Sequence, residues 1–151
     1  MAILPIVIGP DNPLLRIKTK RVSKITKELK QLIKDMIDTM HEASGVGLAS
    51  PQVARTERVC IAMIGGKVTP LINPKIIGRS KETELDQEGC LSLPNVWMMI
   101  SRSVEIMLQY TDLRGKKQER KLLGFDARVV QHEVDHLEGV LIVDYAGSTN
   151  A

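Results

Sequence analysis

The chain has 151 residues, of which 43% are hydrophobic and 26% are charged, a composition typical of globular proteins. The length suits one hydrophobic core, and we predict a single domain over residues 1–151. A net charge of +3 is too small to indicate a specific nucleic-acid partner, and no apolar stretch is long enough to cross a membrane. Two cysteines are too few for a disulfide framework, and the first residues lack the pattern of a signal peptide, which predicts a cytoplasmic protein.

The predicted elements are two helices and several short strands. Apolar residues recur at helical spacing over residues 26–43 and predict the first helix. The glycines and the proline of the segment that follows end it. The strands are predicted in hairpin order at residues 58–64, 68–77, 104–112 and 117–123. The second helix is predicted over 125–139. This combination indicates the α+β class.

The second predicted helix contains QHEVDHLEG, in which His132 and His136 stand four residues apart. On a helix this spacing puts both imidazoles on one face, where they can bind one metal ion. Glu133 lies beside the first histidine, and its carboxylate can take a proton from a water molecule whose pKa the metal lowers. We therefore predict a catalytic metal site with Glu133 as the general acid and base. Asp135 has two interpretations, as a residue that orients a ligand histidine or as the partner of a surface arginine.

A catalytic metal ion usually has three protein ligands, so the two histidines need a third residue. His41 is the remaining histidine, and we expect it at the surface because it stands at the end of the first helix. Cys90 is the better candidate, since a thiolate binds zinc or iron well. It is predicted to lie in a loop after Gly89, a residue that lets the backbone approach a ligand closely. Cys60, within an apolar strand, is interpreted as a small buried hydrophobe.

Three segments resemble, in the same order, the three signature motifs of the peptide deformylase family. They are GVGLASPQ at 45–52, EGCLSLP at 88–94 and QHEVDHLEG at 131–139. The resemblance extends over nearly the whole chain and includes GFDAR at 124–128. It implies a fold in which antiparallel sheets pack around the helix that carries the histidines. It also implies hydrolysis of the N-formyl group of formyl-methionine at the end of newly synthesised polypeptides, with release of formate.

The resemblance implies a role for several residues of these motifs. Cys90, His132 and His136 are the expected ligands of one divalent ion, with Fe(II) as the native metal and zinc or nickel as substitutes. The side-chain amide of Gln52 and the backbone N–H of Leu91 are the expected donors to the oxyanion of the reaction.

The resemblance also implies how the substrate binds. The backbone near Val46 and Gly47 is expected to pair with the peptide as an added strand. The apolar pocket for methionine is expected from Val46, Phe125, Val129 and the side of His132. Gly89 lies beside the peptide, and Trp97, where some members of the family carry arginine, is expected at the pocket rim. Arg102 is assigned to the substrate backbone, with an internal carboxylate as the alternative.

The expected partners are N-formyl-methionyl nascent peptides close to the ribosome, without a membrane or a specific nucleic acid. The chain stops shortly after Tyr145, so we expect it to lack the long C-terminal helix that helps some members to dock on the ribosome. The sequence leaves two other hypotheses for the function. A zinc endopeptidase would share the HExxH pattern but would usually take a third histidine or a glutamate as a ligand. A deformylase-like binding protein without activity would be expected to lack a metal ligand, Glu133 or Gln52, and all of these residues are present.

Overall fold

The computed structural model describes residues 2–146, which form two β-sheets and two α-helices joined by loops and three short 3₁₀ turns. The elements in chain order are α1 (Lys27–Glu42), β1 (Gly47–Ala49), β2 (Val59–Ile64), β3 (Lys67–Arg79), β4 (Thr83–Cys90), β5 (Leu93–Ser103), β6 (Glu105–Thr111), β7 (Lys117–Leu123) and α2 (Gly124–Leu137). The α+β class is therefore confirmed. The predicted absence of a C-terminal docking helix concerns residues after 146, which lie outside the described residues.

Five strands form one antiparallel sheet in the order β1–β2–β3–β6–β7, and β4 pairs with β5 in a second sheet. The turn between β2 and β3 uses Gly65 and Gly66, both with positive φ, a conformation that glycine adopts without steric cost. The N–H of Gly65 donates to the carboxylate of Asp126 at 3.1 Å. This bond fixes the first turn of α2 against the large sheet. Within residues 2–146, no helix has both the length and the apolar character needed to cross a membrane.

The large sheet is buried on both faces along β1 and β2. Along β2, Cys60 and Ala62 contact an apolar cluster that includes residues of α2, whereas Val59 and Ile61 contact a second cluster that includes residues of α1. This alternation follows from the two-residue period of a strand. Because both faces of β2 contact apolar clusters, its sequence is a continuous hydrophobic run. The interpretation of Cys60 as a buried hydrophobe is confirmed.

The first helix begins after Thr26, whose hydroxyl accepts a hydrogen bond from the N–H of Leu29 at 3.1 Å. Its buried residues recur every three or four positions and include Leu29, Ile33, Met36 and Met40. The helix ends at Glu42, and His41 is exposed, as predicted. The apolar face of α1 thus closes one side of the core without taking part in the histidine cluster.

The sequence prediction missed β1, β4 and β5, and this omission led to an error. Cys90 was expected in a loop, but it is the last residue of β4. The strand went unrecognised because residues 83–87 are exposed and largely polar, and the next residue, Glu88, is a buried carboxylate. A strand of this composition lacks the apolar alternation on which the prediction relied.

We predict that Ile61→Ala lowers the free energy of unfolding by about 2–5 kcal/mol, because truncating a fully buried isoleucine leaves a cavity. Urea denaturation would measure the change. The matched control is Ile77→Ala on β3, where the side chain is 44% exposed and the same truncation should cost less than about 1 kcal/mol. Equal losses in the two variants would contradict the assignment of Ile61 to the core.

Candidate metal centre and catalytic cleft

The second helix carries both histidines on a buried face. It is followed by Gly139, whose φ of 75° favours glycine and ends the helix as the sequence predicted. His132 and His136 lie one helical turn apart, with ring centroids separated by 5.0 Å. Both residues are buried, so their ring nitrogens need partners inside the protein.

Cys90 completes a cluster with the two histidines. One ligand atom from each of Cys90, His132 and His136 lies within 4.8 Å of the others, and the Sγ of Cys90 is 3.3 Å from Nε2 of His136. The strand β4 brings the thiol over the helix from a position more than forty residues earlier in the chain. One thiolate with two imidazoles is a donor set that suits zinc and iron, so the predicted ligands fit one divalent metal ion.

The electrostatic surroundings of the two histidines also fit a metal ion. Burial alone would lower the pKa of His132, but contacts with Cys90 and Glu88 raise it to about 10. Surroundings that stabilise a proton on this ring also stabilise a cation. Burial, together with the charge of His132, lowers the pKa of His136 well below its usual value. His136 is therefore held neutral, the form in which histidine binds a metal.

Glu88 orients His132. Its Oε1 lies 3.0 Å from Nδ1 of His132, which leaves Nε2 of that ring for a ligand. Arg102 donates to both oxygens of Glu88 at 2.8 and 2.9 Å, and Arg128 donates to Oε2 at 2.7 Å. Burial alone would raise the pKa of Glu88, but the hydrogen bonds from Arg102 and His132 lower it to about 2. The carboxylate is therefore ionised at neutral pH.

The surroundings of Arg102 contradict its assignment to the substrate. The side chain is buried, and besides Glu88 it contacts Asp135, with Nη1 donating to Oδ2 at 2.7 Å. It is also not one of the residues that line the cleft described below. The internal carboxylate, which the sequence left as an alternative, is the correct interpretation. Within residues 2–146 the carboxylate of Asp135 contacts Arg102 and Tyr145. Asp135 therefore pairs with an arginine, but this arginine is buried and not at the surface.

Sequence reasoning missed Glu88 and Arg128. Glu88 could have been found once β4 was recognised, because residues two apart on a strand point to the same face and Glu88 is two residues before Cys90. Arg128 lies four residues before His132 on the helix and therefore on the same side. Neither spacing predicts that Glu88 pairs with Arg128, because the two residues belong to different elements, β4 and α2.

Glu133 lies in the cluster with little access to solvent. Burial raises the pKa of its carboxyl to about 7. Among the described residues Oε1 has no hydrogen-bond partner. A β-carbon added to Gly47 would lie 2.5 Å from Oε2 of Glu133, which is closer than any real contact of this kind. A side chain at position 47 would therefore displace the carboxylate of Glu133.

Gln52 is fixed by hydrogen bonds at both ends of its amide. Its Oε1 accepts from the N–H of Ala49 at 2.9 Å, and its Nε2 donates to the hydroxyl of Ser92 at 3.1 Å. The same nitrogen lies 3.7 Å from Sγ of Cys90. The donating end of the amide thus lies beside Cys90, one of the three predicted metal ligands. The role of Ser92 as an anchor for Gln52 was not predicted, because the two residues are forty positions apart.

A cleft of about 490 Å³ opens above the cluster. Its lining contains most of the predicted site residues, namely Val46, Gly47, Gln52, Gly89, Cys90, Leu91, Trp97, Phe125, Val129, His132 and Glu133. Trp97 is 63% exposed and Phe125 is 62% exposed, so both stand at the rim. A β-carbon on Gly89 would overlap the Trp97 ring, which shows that the indole covers this glycine. The cleft therefore has an apolar rim and a polar floor.

The family model for polypeptide deformylase matches residues 3–151 of the chain. A peptide deformylase of Thermotoga neapolitana is 45% identical over 133 residues, which are 88% of this chain and 81% of that protein. One from Dictyoglomus thermophilum is 47% identical over 135 residues, which are 89% of this chain and 88% of that protein.

Solved structures with a similar fold are also peptide deformylases. The crystal structure of peptide deformylase from Thermotoga maritima superimposes with a TM-score of 0.92 at 43% identity, covering 95% of this chain and 97% of that one. The Met-Ala-Ser-bound class I type b peptide deformylase from Acinetobacter baumannii has a TM-score of 0.90 at 35% identity, covering 95% and 98%. With a cysteine–histidine–histidine cluster beneath its cleft and a family match over almost its entire length, this chain belongs to the polypeptide deformylase family, metal-dependent enzymes that deformylate nascent peptides.

Proposed function

We propose that the cleft binds the formyl-methionine end of a new polypeptide and that the residues at its floor hydrolyse the formyl amide. The observation that carries this proposal is the cluster of Cys90, His132 and His136, of which Cys90 and His132 line the cleft together with Glu133 and Gln52. The structure of the Acinetobacter baumannii relative with Met-Ala-Ser bound supports a peptide ligand that begins with methionine. The family match over residues 3–151 supports one catalytic domain.

Cys90, His132 and His136 would hold one divalent metal ion. We propose Fe(II) as the native ion, with zinc or nickel as substitutes, because thiolate and imidazole ligands suit all three. A bound ion would supply a Lewis acid for the formyl oxygen and a lower pKa for the attacking water molecule. Glu88 would keep the ring of His132 in the orientation and tautomer that this role needs.

Glu133 is the proposed general base and general acid. It would accept a proton from water as the water oxygen attacks the formyl carbon, and it would pass a proton to the amine nitrogen as the C–N bond breaks. The products are formate and a free amino terminus. A pKa of about 7, which results from burial, allows the carboxyl to act in both directions near neutral pH.

Gln52 and Leu91 are the proposed donors to the oxygen that becomes negatively charged during the attack. The amide of Gln52 cannot easily rotate, since its Oε1 is held by Ala49 and its Nε2 by Ser92. Donors that are oriented before the reaction need no rearrangement in the transition state. The backbone N–H of Leu91 is a second donor beside the metal ligand Cys90.

The peptide backbone would bind along Val46 and Gly47. Val46 precedes β1 and Gly47 is its first residue. This strand is the end strand of the five-stranded sheet, and an end strand can accept a further strand. Phe125, Val129 and the side of His132 would contact the methionine side chain from α2. Trp97, seated on Gly89, would form the opposite rim.

The proposed setting is the cytoplasm near the ribosome, because the substrate is the amino end of a nascent chain. A zinc endopeptidase is less consistent with a thiolate as the third ligand. A binding protein without activity is less consistent with a buried carboxylate of raised pKa beside an oriented amide.

The first test is formate release from a formyl-Met peptide, using protein prepared without oxygen and loaded with Fe(II). We expect formate from this peptide and no product from the matching acetyl-Met peptide. Absence of formate from protein with a full complement of metal would contradict the proposed function. Cleavage at internal peptide bonds would instead favour an endopeptidase.

We predict that Glu133→Gln keeps one metal ion per chain but lowers kcat by about 10²- to 10⁴-fold, the usual contribution of a general base. Metal analysis and the formate assay would be run on the same sample. The exposed Glu119→Gln is the matched control and should retain wild-type kcat. Full turnover in the Glu133 variant would exclude this residue as the base.

We predict that Gly47→Ala lowers kcat by about 10-fold or more while the metal is retained, because the new methyl group would push the Glu133 carboxylate out of position. The matched control is Gly78→Ala, where the added carbon would meet Met107 at an ordinary 3.5 Å. Formate release and metal content would be measured for both variants. Equal kcat values for the two would mean that Gly47 does not constrain the carboxylate.

A further inference from the structure

The turn Ile142–Tyr145 joins the ion-pair network of the metal site at its outer end. The hydroxyl of Tyr145 donates to Oδ2 of Asp135 at 2.7 Å and accepts from Nη1 of Arg102 at 3.2 Å. The guanidinium carbon of Arg102 also lies 4.9 Å from the centre of the Tyr145 ring. One side chain thus contacts the guanidinium group of Arg102 through both its hydroxyl and its ring.

We propose that Tyr145 is a positioning residue for the metal ligand His132, acting through Arg102 and Glu88. The inference rests on the metal site proposed above. It assigns to the last described turn of the chain a role in holding the metal, in addition to any role in folding.

The contacts form a continuous path from Tyr145 to the histidine. Arg102 uses Nη1 for Asp135 and Tyr145, and it uses Nε and Nη2 for the two oxygens of Glu88. Because the guanidinium group is planar, fixing Nη1 also fixes the direction of the other two donors. Those donors set the plane of the Glu88 carboxylate, and Oε1 of that carboxylate lies 3.0 Å from Nδ1 of His132.

The turn that carries Tyr145 is itself anchored. Leu141 and Ile142 are buried in an apolar cluster with Leu15, Leu93 and Ile100. The carboxylate of Asp144 pairs with Arg16 at 2.6 Å and accepts from the N–H of Leu141 at 2.9 Å. The turn that carries Tyr145 is therefore anchored by Arg16 and by this apolar cluster, in addition to the contacts with Asp135 and Arg102, so Tyr145 can resist rotation of Arg102.

Loss of this support should appear as weaker metal binding. With Tyr145→Leu, Arg102 would lose a hydrogen bond and its aromatic contact, and Asp135 would lose a donor. Glu88 would then hold His132 less firmly. Substituting the outer partners of metal ligands typically weakens metal binding by about 10- to 100-fold. Because Tyr145 acts through two intermediate side chains, we expect the lower end, about 10-fold, for Tyr145→Leu. Tyr145→Phe keeps the ring and should lose less.

The experiment measures the Co(II) and Zn(II) dissociation constants by competition with a chelator, and records the visible absorption spectrum of the Co(II) protein. The expected order of affinity is wild type, then Tyr145→Phe, then Tyr145→Leu, with a change in the Co(II) bands that reports altered ligand geometry. Partial recovery in the Phe variant relative to the Leu variant would support the part played by the ring.

A control separates positioning from folding. Val143→Ala trims a partly buried side chain of the same turn that packs on its apolar cluster, and it removes no atom that takes part in the hydrogen bonds of Tyr145 to Asp135 and Arg102. It should lower the free energy of unfolding but leave metal affinity and the Co(II) spectrum unchanged. The inference is overturned if both Tyr145 variants match the wild type in affinity and spectrum, or if Val143→Ala weakens metal binding as much as Tyr145→Leu.

The outcome for the wild type separates this inference from the proposed function. If the wild-type protein binds no Co(II), the metal site fails and this inference fails with it. If the wild type binds Co(II) and releases formate while the Tyr145 variants do the same with equal affinity, only this inference fails.

Discussion

The carboxylate of Glu88 is the point at which the small sheet, the second helix and the C-terminal turn meet. It binds one histidine and two arginines inside the protein, and one of those arginines continues to Asp135 and Tyr145. A buried charge of this kind is costly unless each partner is present, and removal of one partner from such a group typically costs about 3–5 kcal/mol. The network therefore fixes the position of β4 relative to α2, and with it the distance between Cys90 and the histidines.

Two glycines show how closely the backbone packs around the site. Gly47 leaves room for the carboxylate of Glu133, and Gly89 leaves room for the indole of Trp97. In both places the residue that excludes a side chain belongs to another element of the fold. The shape of the cleft thus depends on the close contact of Gly47 with Glu133 and of Gly89 with Trp97. A side chain at either glycine would displace the group that now lies against it.

The site also holds groups that do not favour stability. Glu133 is buried with an oxygen that lacks a partner among the described residues, and its raised pKa reflects the cost of burying the charge. By contrast, the amide of Gln52 is satisfied at both ends. This contrast fits the roles proposed for the two residues, proton transfer for Glu133 and hydrogen-bond donation for Gln52. The large apolar clusters on both faces of the main sheet offset the cost.

The sequence by itself determined both helices and four of the seven strands, and it predicted which residues form the candidate metal site. The i and i+4 spacing of His132 and His136 follows from helical geometry, and the strands with apolar periodicity were predicted within a few residues. The strand β4 could not be predicted, because its exposed residues are polar and its buried face includes a charge that only an ion pair makes tolerable. For the same reason the partners of Arg102, Asp135 and Tyr145 were decided only by the tertiary structure. Local sequence encodes periodicity, whereas buried charges are satisfied by residues that are distant in the chain, and their pairing exists only once the elements have packed.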